Sequence, residues 1–273
     1  MWFGLLTVLG FAERGFFIPY RYAATLPPAG ERPPYPAAEA HLRARQDEFL
    51  KVLGWIGEFA ADLARIGDDP PPAPRWTQSW FPALDAALAY TLVRKLAPQR
   101  IVEVGAGHST RFLARAVADG GLATRITAVD PAPRAALAGL DIELKRATLQ
   151  QAGLEPFAGL AAGDFLMIDS SHILMPGSDV DFLLNRVLPS LPAGVLVHVH
   201  DVFLPDDYPA HWAWRGYNEQ LGILPLILEG GWEAVFASRY VATRMAGALA
   251  ASAAGALPRA LGALDSSLWL KTR

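Results

Sequence analysis

Arg100-Ile101-Val102-Glu103-Val104-Gly105-Ala106-Gly107-His108-Ser109-Thr110 is the stretch whose reading decides the fold. An apolar, strand-like run enters a glycine turn, and the turn enters a helix start. Gly105 and Gly107 leave room for a backbone to approach a ligand closely, and Ser109 or Thr110 is of the type that caps a helix. The first amides of that helix would then point at a nucleotide-like ligand. Taken alone, Gly-x-Gly also fits a tight turn with no ligand.

The next segment narrows the choice. Residues 125–130, Arg-Ile-Thr-Ala-Val-Asp, read as a second strand closed by Asp130, where a doubly wound sheet holds a pair of ribose hydroxyls. The two segments make one βαβ unit.

Glu103 stands two places before the first glycine, and the resulting acid-x-Gly-x-Gly pattern, followed by Asp130, resembles the class I S-adenosylmethionine-dependent methyltransferases. Dehydrogenases of similar plan carry Gly-x-Gly-x-x-Gly without that acid, so an NAD-dependent oxidoreductase is the weaker reading. The similarity spans residues 80–240, through VEVGAGHSTRF, IDSSH and HVHDVFLPDDYP, and is to a bacterial subgroup of the family. It implies S-adenosyl-L-methionine as cofactor, held by Glu103, Gly105, Ala106, Gly107, His108, Ser109, Thr110, Asp130 and Asp169. It also implies a seven-stranded, mostly parallel Rossmann-like sheet whose last two strands form an antiparallel hairpin.

Composition sets the outer limits. The 273 residues, 52% hydrophobic and 19% charged, suffice for a full core. A net charge of −3 gives no electrostatic footprint for nucleic acid, so a small-molecule acceptor is expected instead. With no cysteine, disulfides, thiolate metal sites and cysteine nucleophiles are excluded. The apolar segment 1–12 is far shorter than the ~20 residues of a membrane-spanning helix. It also lacks the basic flank and cleavage site of a secretory signal, which makes a cytoplasmic location the expectation. This segment and the alanine-rich stretch 241–264 either pack on their own chain or mediate a homo-oligomer or peripheral membrane contact.

Residues 1–78 read as an N-terminal helical and proline-rich extension, and 79–273 as the binding domain with an apolar insertion at 241–264. The proline-rich run 26–36 cannot be helical. Apolar residues at helical spacing over 37–66 predict one accessory helix, ended by Asp68-Asp69-Pro70. A second helix is expected over 82–96. Strands are expected near 100–104, 125–130, 142–145, 164–169, 194–201, 233–238 and 267–272.

Ligands of open α/β sheets sit beyond the carboxyl ends of the strands, where Glu103, Asp130, Asp169 and Asp201 fall. His172, three residues past Asp169, has the right side chain to take a proton near neutral pH, and Asp169 and His172 are the catalytic candidates. Asp169, His200 and Asp201 present oxygen and imidazole donors suited to magnesium or another divalent cation. Distantly similar O-methyltransferases, acting on catechols or macrolide sugars, hold magnesium at these strand ends, and some use a histidine after the fourth strand as base. His200-Asp201-Val202 departs from their acidic pair. His198 and His200 share a strand face, and one of them is expected to be structural. Residues 203–220, rich in aromatic and acidic side chains, suggest a lid over the acceptor. The remaining alternative is a methyltransferase-like module that binds without catalysing.

Overall fold

A computed structural model describes residues 2–67 and 69–273. Met1, and Asp68 at the expected end of the accessory helix, lie outside the described residues. Among the described residues, eleven α-helices accompany the sheet: α1 (Trp2–Val8), α2 (Pro36–Arg43), α3 (Gln46–Glu58), α4 (Ala60–Leu63), α5 (Ala83–Leu96), α6 (His108–Gly120), α7 (Leu149–Ala152), α8 (Asp179–Phe182), α9 (Glu219–Leu228), α10 (Ser238–Arg244) and α11 (Ala246–Ala251). The strands are β1 (Arg100–Val104), β2 (Arg125–Val129), β3 (Glu143–Lys145), β4 (Phe165–Ile168), β5 (Leu196–Val199), β6 (Trp232–Ala237) and β7 (Leu268–Thr272).

They form one sheet in the order β3-β2-β1-β4-β5-β7-β6. The first five are parallel to one another, whereas β7 runs antiparallel to both β5 and β6. The order reverses between β1 and β4, which is the switch point where such sheets open a crevice. Strands covered on both faces read as near-continuous apolar runs, and β4 and β5 are buried at every position.

Helix α5 is buried almost throughout because its alanines allow close approach to α3 and α6. Its amino end is capped from far along the chain: the Leu84 amide donates to Asp265 Oδ1 at 3.1 Å. The accessory segment is not one helix. It breaks at 44–45 and again at Phe59, giving α2, α3 and α4. At the first break Arg45 turns to the sheet edge, with Nη2 2.6 Å from Glu233 and Nε donating to the Ala234 carbonyl.

Leu42, Phe49, Val52, Leu53, Ile56 and Leu63 of these helices belong to the same apolar core as β1, β4 and β5. The alanine-rich insertion also packs on its own chain, burying Val241, Leu249 and Ala254. Helix α1 does not: it buries nothing, and Trp2, Phe3, Leu5 and Val8 are exposed. No helix among the described residues is long and apolar enough to cross a membrane.

Candidate active site

Parallel pairing continues one residue beyond the strands and aligns their carboxyl ends. The Gly105 amide donates to the Val129 carbonyl, Asp169 to Val104, Asp130 to Lys145, and His200 to Ile168, at 2.8–3.1 Å. Four candidate residues thereby stand in a row at the edge of a cleft of about 840 Å³.

Gly105 adopts φ +82°, and a Cβ there would collide with the carbonyl oxygen of Asp169. Its glycine is therefore demanded by the crossing of β1 and β4. Gly107 is different: it is extended, φ −175°, with nothing within 4 Å of a Cβ position, and it lines the cleft. Helix α6 begins at His108. Thr110 Oγ1 accepts from the Gly107 amide at 2.8 Å, closing the first turn.

Glu103 is fully buried and accepts from the hydroxyls of Ser109 (2.6 Å) and Thr110 (2.5 Å). Burial pushes its carboxyl up to about 7, against the pull of those two hydrogen bonds. Glu103 and Thr110 stand behind the cleft wall, whereas Gly105, Ala106, Gly107, His108, Ser109, Asp130 and Asp169 line it. Asp130 accepts from the amides of Ala106 and Ala132, both at 2.7 Å, which fixes the carboxylate at the mouth of the glycine turn. Burial, with Arg111 and Arg75 nearby, lowers His108 to about 4, so its ring is neutral.

The second half of the site gathers acids around two imidazoles. Asp169 Oδ1 lies 3.3 Å from His172 Nε2 and 3.7 Å from His200 Nδ1. Asp201 faces the same two rings, at 3.6 Å and 3.5 Å. On their far sides His172 Nδ1 meets Glu219 Oε2 at 2.9 Å, and His200 Nε2 is 3.5 Å from Asp85. His172 and Asp201 both take left-handed backbone, φ +61° and +54°, a conformation side chains tolerate only where surroundings enforce it. The enforcement is visible at His172, whose carbonyl accepts from the amides of Asn218 and Glu219.

Exposure separates the roles. The Asp169 side chain is 40% exposed, while that of His172, which also lines the cleft, is only 4% exposed. Burial pushes His172 down, but Asp169, Glu219 and Asp201 outweigh it and hold the ring well above its ordinary value. His200 is raised likewise, against burial, by Asp201, Asp169 and Asp85. Burial raises Asp169, but hydrogen bonding to His172 and His200 more than offsets this and keeps it ionised. His198 is the structural one of the β5 pair: burial and the adjacent His200 lower it to about 3, and Nε2 bonds Ser267 Oγ at 2.7 Å.

Asp169, His200 and Asp201 do converge, yet among the described residues no three His, Cys, Asp or Glu side chains are placed to hold a metal ion. The physical reason is local. The carboxylate oxygens face imidazole nitrogens, and Asp201 Oδ1 also accepts from Ser266 Oγ at 3.1 Å. As arranged, the set does not fit a divalent cation.

The loop 203–220 reaches the cleft through Arg215 and Tyr217, whose ring packs on His172 with centroids 4.5 Å apart. Two of its acids serve elsewhere: Asp206 pairs with Arg244 at 2.6 Å and Asp207 with Arg32 at 3.0 Å. Glu219 falls in the segment read as this lid, and Asp85 in the helix expected over 82–96, where nothing in the sequence singles it out. Only the fold brings them beneath His172 and His200. Phe16, from the N-terminal segment, also lines the cleft.

Residues 102–202 match a family described as a methyltransferase domain. No curated protein matches the chain. Among solved structures, the chain is similar to the S-adenosylhomocysteine-bound methyltransferase PaMTH1 of Podospora anserina, with 14% identity over 95% of this chain and 99% of that one, TM-score 0.45. It is also similar to the O-methyltransferase TomG of Streptomyces achromogenes, involved in tomaymycin synthesis and solved with S-adenosylmethionine (17% identity, 86% and 96% covered, TM-score 0.42). A third is an O-methyltransferase of Bacillus cereus in complex with S-adenosylhomocysteine (16% identity, 82% and 91% covered, TM-score 0.40). The segment 102–202, which carries the glycine turn and the switch point of the sheet, is thus similar to a methyltransferase domain.

Proposed function

We propose that this chain transfers a methyl group to an oxygen of a small-molecule acceptor, with Asp169 as the group that receives the acceptor's proton. The observation that carries this is the placement of one ionised, cleft-facing carboxylate on the same rim as the glycine turn and Asp130.

When bound, S-adenosylmethionine supplies an electrophilic methyl on a sulfonium, which leaves as a neutral thioether in an in-line displacement. The Gly105–Gly107 turn and the amino end of α6 would accommodate the nucleoside, and Asp130 would accept from the ribose hydroxyls. Four carboxylates, Asp85, Asp169, Asp201 and Glu219, surround two imidazoles, so the strand ends remain net negative even with both rings protonated. That field favours a sulfonium over the neutral product.

As the methyl arrives, the acceptor oxygen becomes oxonium-like and strongly acidic. A carboxylate of ordinary or low basicity then suffices as proton acceptor, and Asp169 stands where it can serve. His172 and His200 fix that carboxylate from behind. No step passes through a metal.

The aromatic lip of Phe16, Trp80 and Tyr217 suits a ring-bearing or amphipathic acceptor. The test is incubation of purified protein with methyl-labelled S-adenosylmethionine and a panel of small phenols and polyols. Label transferred to an acceptor hydroxyl supports the reading. Binding of the donor with no transfer to any class of acceptor favours the non-catalytic alternative.

A further inference from the structure

The geometry points to Glu219 as the positioning residue of this site: its buried carboxylate fixes the ring of His172 and, through that ring, the cleft-facing carboxylate of Asp169. The inference rests on the reading of the cleft as a methyl-transfer site.

Glu219 is 1% exposed, in the first turn of α9 and 47 residues beyond His172. A buried acid needs partners for both oxygens. Here Oε2 meets His172 Nδ1 at 2.9 Å, and Oε1 accepts from Ser170 Oγ at 3.1 Å. Ser170 Oγ in turn accepts from the His172 amide at 3.0 Å. The His172 carbonyl is held by the amides of Asn218 and Glu219 themselves. The backbone and the ring of one residue, already in a left-handed conformation, are thus clamped by the start of one helix.

The orientation that results has a chemical consequence. An acceptor at Nδ1 commits that nitrogen to carry a hydrogen, so ring direction and protonation pattern are both set from the far side. Nε2 is then left pointing at Asp169 Oδ1 and Asp201 Oδ2. Asp169 is thereby held by one oxygen, with its exposed side turned to the cleft. Glu219 touches neither cofactor nor acceptor, since it does not line the cleft.

The test compares wild type, Glu219→Gln and Glu219→Ala, each as the full chain with ¹⁵N-histidine label. In wild type, the His172 Nδ1 proton gives a resonance far downfield of the amide envelope. It shifts upfield in Glu219→Gln, which keeps the shape but not the charge, and vanishes in Glu219→Ala. Turnover in the labelled-donor assay falls about 100-fold in Glu219→Ala and less in Glu219→Gln. S-adenosylhomocysteine binds all three with similar affinity, and acceptor KM changes far less than kcat. A wild-type spectrum without the downfield resonance, or undiminished kcat in a folded Glu219→Ala, overturns the inference. Should Glu219→Ala fail to fold, the Gln variant decides on the same two readouts. Absence of transfer by wild type sinks the methyl-transfer reading instead, and the resonance still judges the clamp.

Discussion

Asp169 Oδ1 lies 3.3 Å from Nε2 of His172, with the carboxylate partly exposed and the imidazole almost fully buried. The order of these two residues from solvent inward separates what each substitution does.

Asp169→Asn keeps the shape of the side chain and removes its basicity. We expect kcat to fall by about 10²–10⁴, the usual range for a positioned acid or base, with little change in unfolding midpoint. His172→Ala differs in kind: it leaves Glu219 buried without its partner and costs about 3–5 kcal/mol of stability. Urea denaturation beside kinetics on both variants distinguishes the two effects. Equal kcat in wild type and Asp169→Asn would remove the aspartate from the chemistry.

The two glycines of the turn should fail in opposite ways. Gly105→Ala drives a methyl into the Asp169 carbonyl at positive φ and lowers thermal stability. Gly107→Ala meets open space, leaves the melting temperature near that of wild type, and projects into the cleft, so it weakens cofactor binding. Differential scanning fluorimetry with and without S-adenosylhomocysteine reads both. A stable Gly105→Ala would show that the β1–β4 crossing tolerates a side chain.

Glu103 makes stability depend on pH in a defined sense. Burial raises its carboxyl from 4.5 in the unfolded chain to about 7 in the fold. A raised folded value means that its stabilising contribution is complete below about 4.5 and is lost as pH climbs through about 7. At about 1.4 kcal/mol per pKa unit, the loss by pH 8 is at most about 3.5 kcal/mol. Glu103→Gln, which keeps one hydroxyl contact through its amide oxygen and reverses the other through its NH2 group, should therefore melt higher than wild type at pH 8, by about 2–4 °C per kcal/mol, and lose that advantage near pH 4.5. Identical melting curves at both pH values would contradict a buried, titrating acid.

Because carboxylates and imidazoles at the strand ends face one another, turnover should survive exhaustive chelation and gain nothing from added magnesium. Loss of activity on chelation, restored by a divalent ion, would place a metal among Asp169, His200 and Asp201 after all.

The sheet was legible in sequence because parallel strands buried on both faces must be apolar runs, and β1, β2 and β4 stop at Gly105, Asp130 and Asp169. The breaks in the accessory helix were not, since periodicity continues across them and only Arg45 reaching Glu233 reveals the turn. Asp130, Asp169 and His172 were found because each lies at or just past a strand end. Glu219 was hidden by distance: a glutamate in the first turn of a helix is an ordinary sight, and its partner is 47 residues away. Asp85 was hidden similarly, as its contacts to the Ser266 and Ser267 amides span 181 and 182 residues. Motif reading recovers the rim of such a site, while its buried support comes from tertiary contacts that no local pattern records.

The most direct test is isothermal titration of the purified chain with S-adenosylmethionine and S-adenosylhomocysteine, in wild type and Asp130→Ala. The account predicts saturable one-site binding of both ligands to wild type and affinity weaker by about 1–3 kcal/mol, or undetectable, in the variant. No binding to wild type, or equal binding to both proteins, would contradict the placement of the nucleoside at the glycine turn.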